Sequence, residues 1–157
     1  MKTIWLISLL IAVVVYVVGA YVTFDRSSDE QQIISAIENS AKAVEEKDLG
    51  KLFKPVSREY KDSSGMNYEK ARVLIAQGLS GDTNYNASVS IGNIEFASDM
   101  ATVNVKAHIT ELRTGRTIYN RQITLNFRQE PARHALFIPI KKWRVVSSSD
   151  IGLQDYY

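Results

Sequence analysis

The sequence predicts an α+β domain preceded by a membrane-spanning helix, and three observations lead to this prediction. The first 24 of the 157 residues are dominated by apolar side chains, whereas the remaining residues have an ordinary composition. Apolar residues recur at helical spacing as far as residue 81, and from residue 82 onward they alternate with polar residues. The absence of cysteine excludes disulfides, a thiol nucleophile and a cysteine-based lipid anchor. We therefore divide the chain into residues 1–24 and one domain, residues 25–157.

Residues 4–24 form a run of 21 residues without a charge, which as a helix would rise about 31 Å and match the hydrocarbon core of a bilayer. Lys2 precedes the run and Asp25 follows it, so we expect a single-pass anchor in the cytoplasmic membrane, with the domain on the extracytoplasmic side. The alternative is a signal peptide cleaved after Val18-Gly19-Ala20, which would leave a secreted or periplasmic domain. We favour the anchor because apolar residues continue past that cleavage site.

Three helices are predicted after this segment, and each has a candidate N-cap. Ser28 followed by Gln31 forms a capping box for a helix from about residue 29 to 47. Asp48 can cap a short second helix that ends before Pro55, so the first two helices form a hairpin. A short extended piece is predicted at residues 56–60. Asn67 then caps a third helix, with inward-facing residues Ala71, Leu74 and Ile75.

Four long strands are predicted from residue 85 onward. The first strand runs through residues 85–96, with a phase shift at Gly92-Asn93 that indicates a β-bulge. The second runs through residues 103–109, the third through residues 119–127 after a turn at Thr114-Gly115, and the fourth contains Trp143 and Val145. Because short turns join them, neighbouring strands are antiparallel. The predicted architecture is three helices packed on one face of a curved antiparallel sheet.

This order of elements resembles the nuclear transport factor 2-like superfamily, over about residues 29–150. The segments that carry the resemblance are residues 57–65 (SREYKDSSG), which lead into the third helix, and residues 142–146 (KWRVV). The resemblance implies a cystatin-like cone of curved sheet, closed by helices and with a pocket in its mouth. The superfamily includes ketosteroid isomerase, scytalone dehydratase and limonene epoxide hydrolase, and the fold alone does not choose among such activities.

The sequence departs from the enzymes of this superfamily at the catalytic positions. The isomerase and dehydratase relatives use an acid or a histidine that points into the cone, whereas Glu95, Glu111 and Glu130 lie near strand ends or off the apolar phase. His108 is predicted on the polar face of its strand, and His134 in a loop. The sequence also contains no motif with the residue spacing of a metal or cofactor site. We predict no catalytic residue, no metal and no cofactor, and enzyme activity stays open.

Five residues are predicted to line a pocket in the cone. Arg121 shares the phase of its apolar strand neighbours, where it could bind a carboxylate or phosphate. The alternative is an arginine at the strand end that pairs with Glu59 or Glu111 or reaches water. The other four are aromatic residues that suit either a pocket wall or a plain core: Tyr60, Tyr119, Phe127 and Trp143.

Charges segregate along the chain. Residues 25–99 contain 13 acidic and 9 basic residues, whereas residues 100–157 contain 4 acidic and 9 basic residues. The basic half suits an acidic partner, anionic lipid headgroups or an acidic glycan. Nucleic acid is not expected as a partner, because the domain is predicted to be exported and no RNA-reading or helix-turn-helix pattern is present.

Two functions follow from these observations. The first hypothesis is a non-catalytic interaction module, tethered to the membrane by residues 4–24, that contacts other membrane or envelope proteins or forms a homodimer through the sheet. The alternative is a binding protein or isomerase- or dehydratase-like enzyme for a small hydrophobic molecule, with Tyr60 and Arg121 as the polar groups. A continuous pocket with an inward polar group would favour the alternative, and a cone filled by side chains would favour the first.

Overall fold

Three helices precede four strands in residues 28–149 of the computed structural model, which describes residues 11–16, 18, 28–134 and 138–149. The helices are α1 (Asp29–Glu45), α2 (Leu49–Phe53) and α3 (Tyr68–Leu79). The strands are β1 (Tyr85–Ala97), β2 (Met100–Glu111), β3 (Thr117–His134) and β4 (Ile138–Ser148). The predicted α+β class and the order of its elements are confirmed.

Most of the predicted membrane segment lies outside the described residues. Residues 11–16 are helical and exposed. Among the residues that the structure describes, no helix has the length and apolar character needed to cross a bilayer. The anchor, its cleaved alternative and the boundary at residue 24 therefore stay predictions.

The predicted N-caps are confirmed at all three helices. At α1, Ser28 Oγ accepts a hydrogen bond from the Gln31 amide at 3.2 Å, and the Gln31 side chain accepts one from the Ser28 amide at 3.3 Å. Asp48 and Asn67 accept hydrogen bonds from the amides three residues further on, at 2.9 and 3.0 Å. Helix α1 ends two residues earlier than predicted, because Lys47 adopts a left-handed backbone with φ of 55°.

The four strands form one antiparallel sheet in the order β1-β2-β3-β4. Pairing with β2 shifts between Ile91 and Ile94, which places a bulge at the predicted Gly92-Asn93. A Cβ on Gly92 would lie 3.1 Å from the Asn104 carbonyl oxygen, so glycine permits this close approach. A second irregularity lies in the pairing of β3 with β4, where Asn126 and Phe127 pair with Ser147 and Val145 and leave Val146 of β4 as the extra residue. Such bulges bend strands, and they account for the curvature that makes one face of the sheet concave.

Strand β3 is longer than predicted, and the prediction that His134 lies in a loop is wrong. Beyond the pair Met100–Arg128, where β2 begins, β3 continues to His134 against β4. The Gln129 amide still donates to the Asp99 carbonyl at 2.9 Å. The backbone nitrogen of residue 131 is directed to the same side as that of Gln129, but it lies beyond Met100, the first residue of β2. Pro131 therefore fits there without losing a ladder hydrogen bond. Residues 129–134 and 138–142 therefore form a two-stranded extension of the sheet.

The segment predicted to be extended at residues 56–60 lies along the outer edge of β4, but residues 58–59 within it form a turn. Its Ser57 amide donates to the Val145 carbonyl at 2.9 Å, and the Lys61 amide donates to the Val146 carbonyl at 3.1 Å. Val56 forms a parallel bridge with Val145. The segment thus covers an edge that would otherwise present unpaired backbone groups, and it fixes the position of Tyr60 under the sheet.

The start of α1 is attached to one end of the cone, which we call the closed end. There the Trp143 indole donates to Asp29 Oδ1 at 2.9 Å, and its ring packs edge-on against Phe96 at 5.7 Å. Trp143 is 5% exposed, and Ile33 beside it in the core is fully buried. The core is therefore tightly packed at the end where α1 begins.

Candidate ligand-binding cavity

A cavity of about 440 Å³ lies between the helices and the concave face of the sheet. Residues from α1, α2, α3 and all four strands line it, and most of these side chains are aliphatic. Its volume is in the range typical of small-molecule sites in proteins. The aliphatic residues of the lining include Ile37, Leu52, Leu74, Ile75, Val89, Val105, Ile123 and Leu125.

The cavity exists because small residues face one another across the wide part of the cone. Four small residues line the cavity, two from the helices and two from the sheet: Ala41 of α1, Gly78 of α3, Ala87 of β1 and Ala107 of β2. Larger core residues, among them the fully buried Phe127, fill the inner end. The interior is thus not close-packed where these side chains are too small to fill the space.

The mouth of the cavity lies at the opposite end of the molecule from Trp143. The lining residues of α1 come from its second half, up to Val44, whereas its first residue, Asp29, lies at the closed end. A helix of 17 residues spans about 25 Å, which separates the two ends. The residues at the mouth are half-exposed and apolar or aromatic: Leu79, Tyr85, Ile109, Ile118 and Tyr119.

One pair of hydroxyl groups forms the polar part of the inner lining. The Tyr60 and Ser148 hydroxyl oxygens lie 2.7 Å apart, and the two residues are 6% and 5% exposed. Burial raises the pKa of Tyr60, the Ser148 hydrogen bond opposes that rise, and the nearby Asp62 carboxylate adds to it. Tyr60 is therefore a neutral hydroxyl group over the physiological range of pH.

Two other hydroxyl groups of the lining are occupied by the protein itself. Ser40 Oγ donates to the Ala36 carbonyl at 2.8 Å, and the Tyr85 hydroxyl donates to the Gly78 carbonyl at 2.9 Å. These bonds leave neither hydroxyl proton for a ligand.

The structure brings three of the five predicted pocket residues to the cavity: Tyr60, Tyr119 and Phe127. Trp143 lies instead at the closed end, in the core. Arg121 lies on β3 opposite Ala107, half-buried and outside the lining.

The two carboxylates that we considered as partners of Arg121 bind other arginines. Glu59 pairs with Arg128 at 2.6 Å, and Glu111 lies 3.9 Å from Arg116. The alternative in which one of them pairs with Arg121 stays a prediction.

The positions of His108 and Glu111 agree with the sequence interpretation. His108 alternates with Ala107 and Ile109, which line the cavity, so its side chain is directed to the outer face of the sheet. Glu111 is the last residue of β2 and accepts a hydrogen bond from Thr114 at 2.7 Å. The side chains of the described lining are thus apolar or hydroxyl-bearing.

A second, polar groove lies beside the covered edge of β4, and its charges largely satisfy one another. Glu130 accepts a hydrogen bond from Ser57 Oγ at 2.5 Å and lies 3.2 Å from Arg128 and 3.5 Å from Arg144. Arg128 also binds Glu59. This network joins the segment before α3 to β3 and β4, which is a structural role.

Sequence reasoning did not identify Ser148 as a residue of the site. Counting alternate positions from Trp143 and Val145 points to residue 147, yet Ser147 accepts a hydrogen bond from Asn126 and Ser148 lines the cavity. The irregular pairing at Asn126 and Phe127 shifts the phase by one residue. The sequence carries no signal for that shift.

Neither a family model nor a curated protein matches the chain. Solved structures do match it. A domain of unknown function with a cystatin-like fold from Nostoc punctiforme superposes with a TM-score of 0.60 at 11% identity, covering 80% of this chain and 77% of that one. A nuclear transport factor 2-like protein of unknown function from Pseudomonas putida gives 0.56 at 13% identity, with coverages of 76% and 83%. One from Shewanella baltica gives 0.54 at 11% identity, with coverages of 81% and 95%. Such identities show the fold alone.

Proposed function

From this nuclear transport factor 2-like fold and its cavity, we propose that the protein binds a small, largely apolar molecule inside the cone. The observation that carries the proposal is the continuous cavity of about 440 Å³ with an almost entirely apolar lining. Such a lining gains free energy when an apolar ligand leaves water, at roughly 25 cal/mol for each Å² of apolar surface removed from water. This corresponds to the alternative function considered from the sequence.

The chemistry of the lining supports binding rather than turnover. Its polar side chains are serine and tyrosine hydroxyl groups, which act as hydrogen-bonding groups. Tyr60, the most buried of the tyrosines at the cavity, has a raised pKa and so holds its proton more firmly than a free tyrosine. We therefore propose a binding or carrier role.

Titration with the neutral dye Nile red tests this proposal. The dye should bind saturably, with one molecule per chain and a blue-shifted emission. In the variant Ala107→Phe, a ring on the concave face takes up part of the cavity, and we expect the affinity for the dye to fall at least tenfold. The matched control is Lys106→Phe, which adds the same ring one residue earlier, on the outer face.

The outcome depends on the comparison of the two variants, both checked for folding by circular dichroism. Loss of binding in Ala107→Phe with retention in Lys106→Phe supports the proposal. Equal binding by both variants, or no saturable binding by the unaltered protein, contradicts it.

We also propose that residues 4–24 tether the domain to the extracytoplasmic face of the cytoplasmic membrane. The start of α1 lies at the closed end, beside Trp143, and the two-stranded extension formed by residues 129–134 and 138–142 begins at the same end. Three exposed basic residues of that extension form no ion pair with the described residues: Arg133, Lys141 and Lys142. They suit anionic headgroups beside an anchor, at about 1 kcal/mol for each charge near the surface. The mouth of the cavity would then face away from the bilayer.

Intact-mass measurement of the protein taken from its native membrane tests the tether. We expect a mass that includes residues 1–24. A mass that begins at Tyr21 would mean that the segment is a cleaved signal peptide.

A further inference from the structure

We propose that the ligand of the cavity carries a neutral oxygen acceptor, such as a ketone, an ester or an ether, which binds at the Tyr60 and Ser148 hydroxyl groups. This inference rests on the proposed function and adds the chemistry and the position of the ligand's polar end. The rest of the ligand is apolar, because the remaining lining is apolar.

The count of hydroxyl protons at this pair carries the inference. Tyr60 and Ser148 bring two protons to the cavity wall, and the bond between their oxygens, which are 2.7 Å apart, uses one of them. Within the described residues, the structure gives these two oxygens no further hydrogen bond. Both residues are more than nine-tenths buried and line the cavity. A buried donor without an acceptor is costly, so the second proton is available to an oxygen of the ligand.

The surroundings of the pair favour a neutral acceptor over a carboxylate. The buried Asp62 carboxylate lies close enough to raise the pKa of Tyr60, and its Oδ2 has no hydrogen-bond partner. Its Oδ1 already accepts bonds from Ser64 and from the Met66 amide. A second negative charge at this place would be buried beside the first without a counter-charge in the described lining.

The register of the sheet indicates the direction in which the apolar part of the ligand extends. Ser148 pairs with Leu125, and the wall of the cavity continues along β3 from Leu125 through Ile123 to Tyr119 at the mouth. Six strand positions correspond to about 20 Å. We therefore place the oxygen at the inner end of the cavity and the apolar body toward the mouth.

Matched tricyclic probes test the assignment. Fluorene and fluorenone have the same shape, but fluorenone carries a ketone oxygen. Their affinities are measured by competition with Nile red, corrected for the affinity of each variant for the dye. We expect the unaltered protein to bind fluorenone about fivefold more tightly than fluorene, which corresponds to one net hydrogen bond. A fluorene that carries a carboxylate should bind more weakly than both.

Variants of Tyr60 and Ser148 test whether their hydroxyl groups cause the preference for fluorenone. Tyr60→Phe and Ser148→Ala each leave one hydroxyl proton, so each single variant should keep the preference for fluorenone. The double variant should lose it, with a ratio close to one. The control is Ser40→Ala, whose hydroxyl lines the cavity but already donates to Ala36, and it should keep the ratio of the unaltered protein.

Failures of the two proposals are distinguishable. Equal binding of fluorene and fluorenone by the unaltered protein, tightest binding of the carboxylate, or a preference that survives in the double variant overturns the assignment of the polar end. The first two comparisons use the unaltered protein and do not depend on the folding of a variant. A protein that binds neither fluorene nor fluorenone contradicts the proposed function itself.

Discussion

Several local features determine the position and the pKa of the Tyr60 side chain. The segment that contains it is held along β4 by backbone hydrogen bonds, its hydroxyl oxygen meets Ser148, and the residue is 6% exposed. Because burial is the main cause of its raised pKa, the folded protein binds the Tyr60 proton more tightly than the unfolded chain does. This difference makes stability depend on pH.

The expected dependence lies at alkaline pH. Below the unfolded pKa of 10.0, the contribution of the Tyr60 proton to the free energy of unfolding is fully present. It is lost as the pH rises through the raised folded pKa. Urea unfolding at neutral pH and at about pH 11 should show a smaller decrease in stability for Tyr60→Phe than for the unaltered protein. An identical decrease in both proteins would show that Tyr60 is not buried.

Individual site residues were only partly predictable from the sequence. Tyr60 and Phe127 were identified because aromatic residues at strand and loop positions near a curved sheet tend to point inward. Ser148 was missed because the phase shift opposite Phe127 depends on strand pairing, which alternation along one strand does not contain. Glu59 and Arg128 lie 69 positions apart in the chain, and the sequence pattern does not show which distant residues pair.

At the scale of elements, Trp143 attaches the first helix to the sheet. Its ring packs against Phe96 of β1, and its indole nitrogen donates to Asp29 at the start of α1. One side chain of β4 thereby contacts the strand at the opposite edge of the sheet and the helix that covers both. Such a contact fixes the curvature of the sheet.

Replacing Trp143 by alanine should therefore destabilise the domain by about 3 to 5 kcal/mol, since it removes a large buried ring and leaves a cavity. Chemical unfolding monitored by circular dichroism measures the change. The control is Lys142→Ala, an exposed neighbour whose effect should stay within about 0.5 kcal/mol. Equal stability of the two variants would contradict the packing described at the closed end.

Helix starts were predictable to the residue, and strand lengths were not. The caps at Ser28, Asp48 and Asn67 are local chemistry, since each side chain binds an amide three residues away. The end of β3 is not local. It extends to His134 because β4 pairs with it past Met100, where β2 begins. The proline in that stretch had indicated a loop.

At the scale of the whole molecule, the cone has a packed end and a hollow end. The fold class was predictable because the change from helical to alternating periodicity at residue 82 separates helices from strands. The hollow was not predictable, because it depends on small residues of α1 and α3 meeting small residues of β1 and β2 across the cone. The predicted contacts with envelope proteins, and with a second copy through the sheet, stay predictions.

Methyl-group NMR of isoleucine-labelled protein during a titration with fluorene tests most directly the claim that the cone binds an apolar molecule. Among the residues that the structure describes, five isoleucines line the cavity: Ile37, Ile75, Ile109, Ile118 and Ile123. Ile33 in the packed core and Ile140 on the two-stranded extension lie outside it and serve as internal controls. We expect saturable shifts of the five lining signals and unchanged control signals. Shifts confined to the control signals, or no shift of the lining signals at saturating fluorene, would contradict the account.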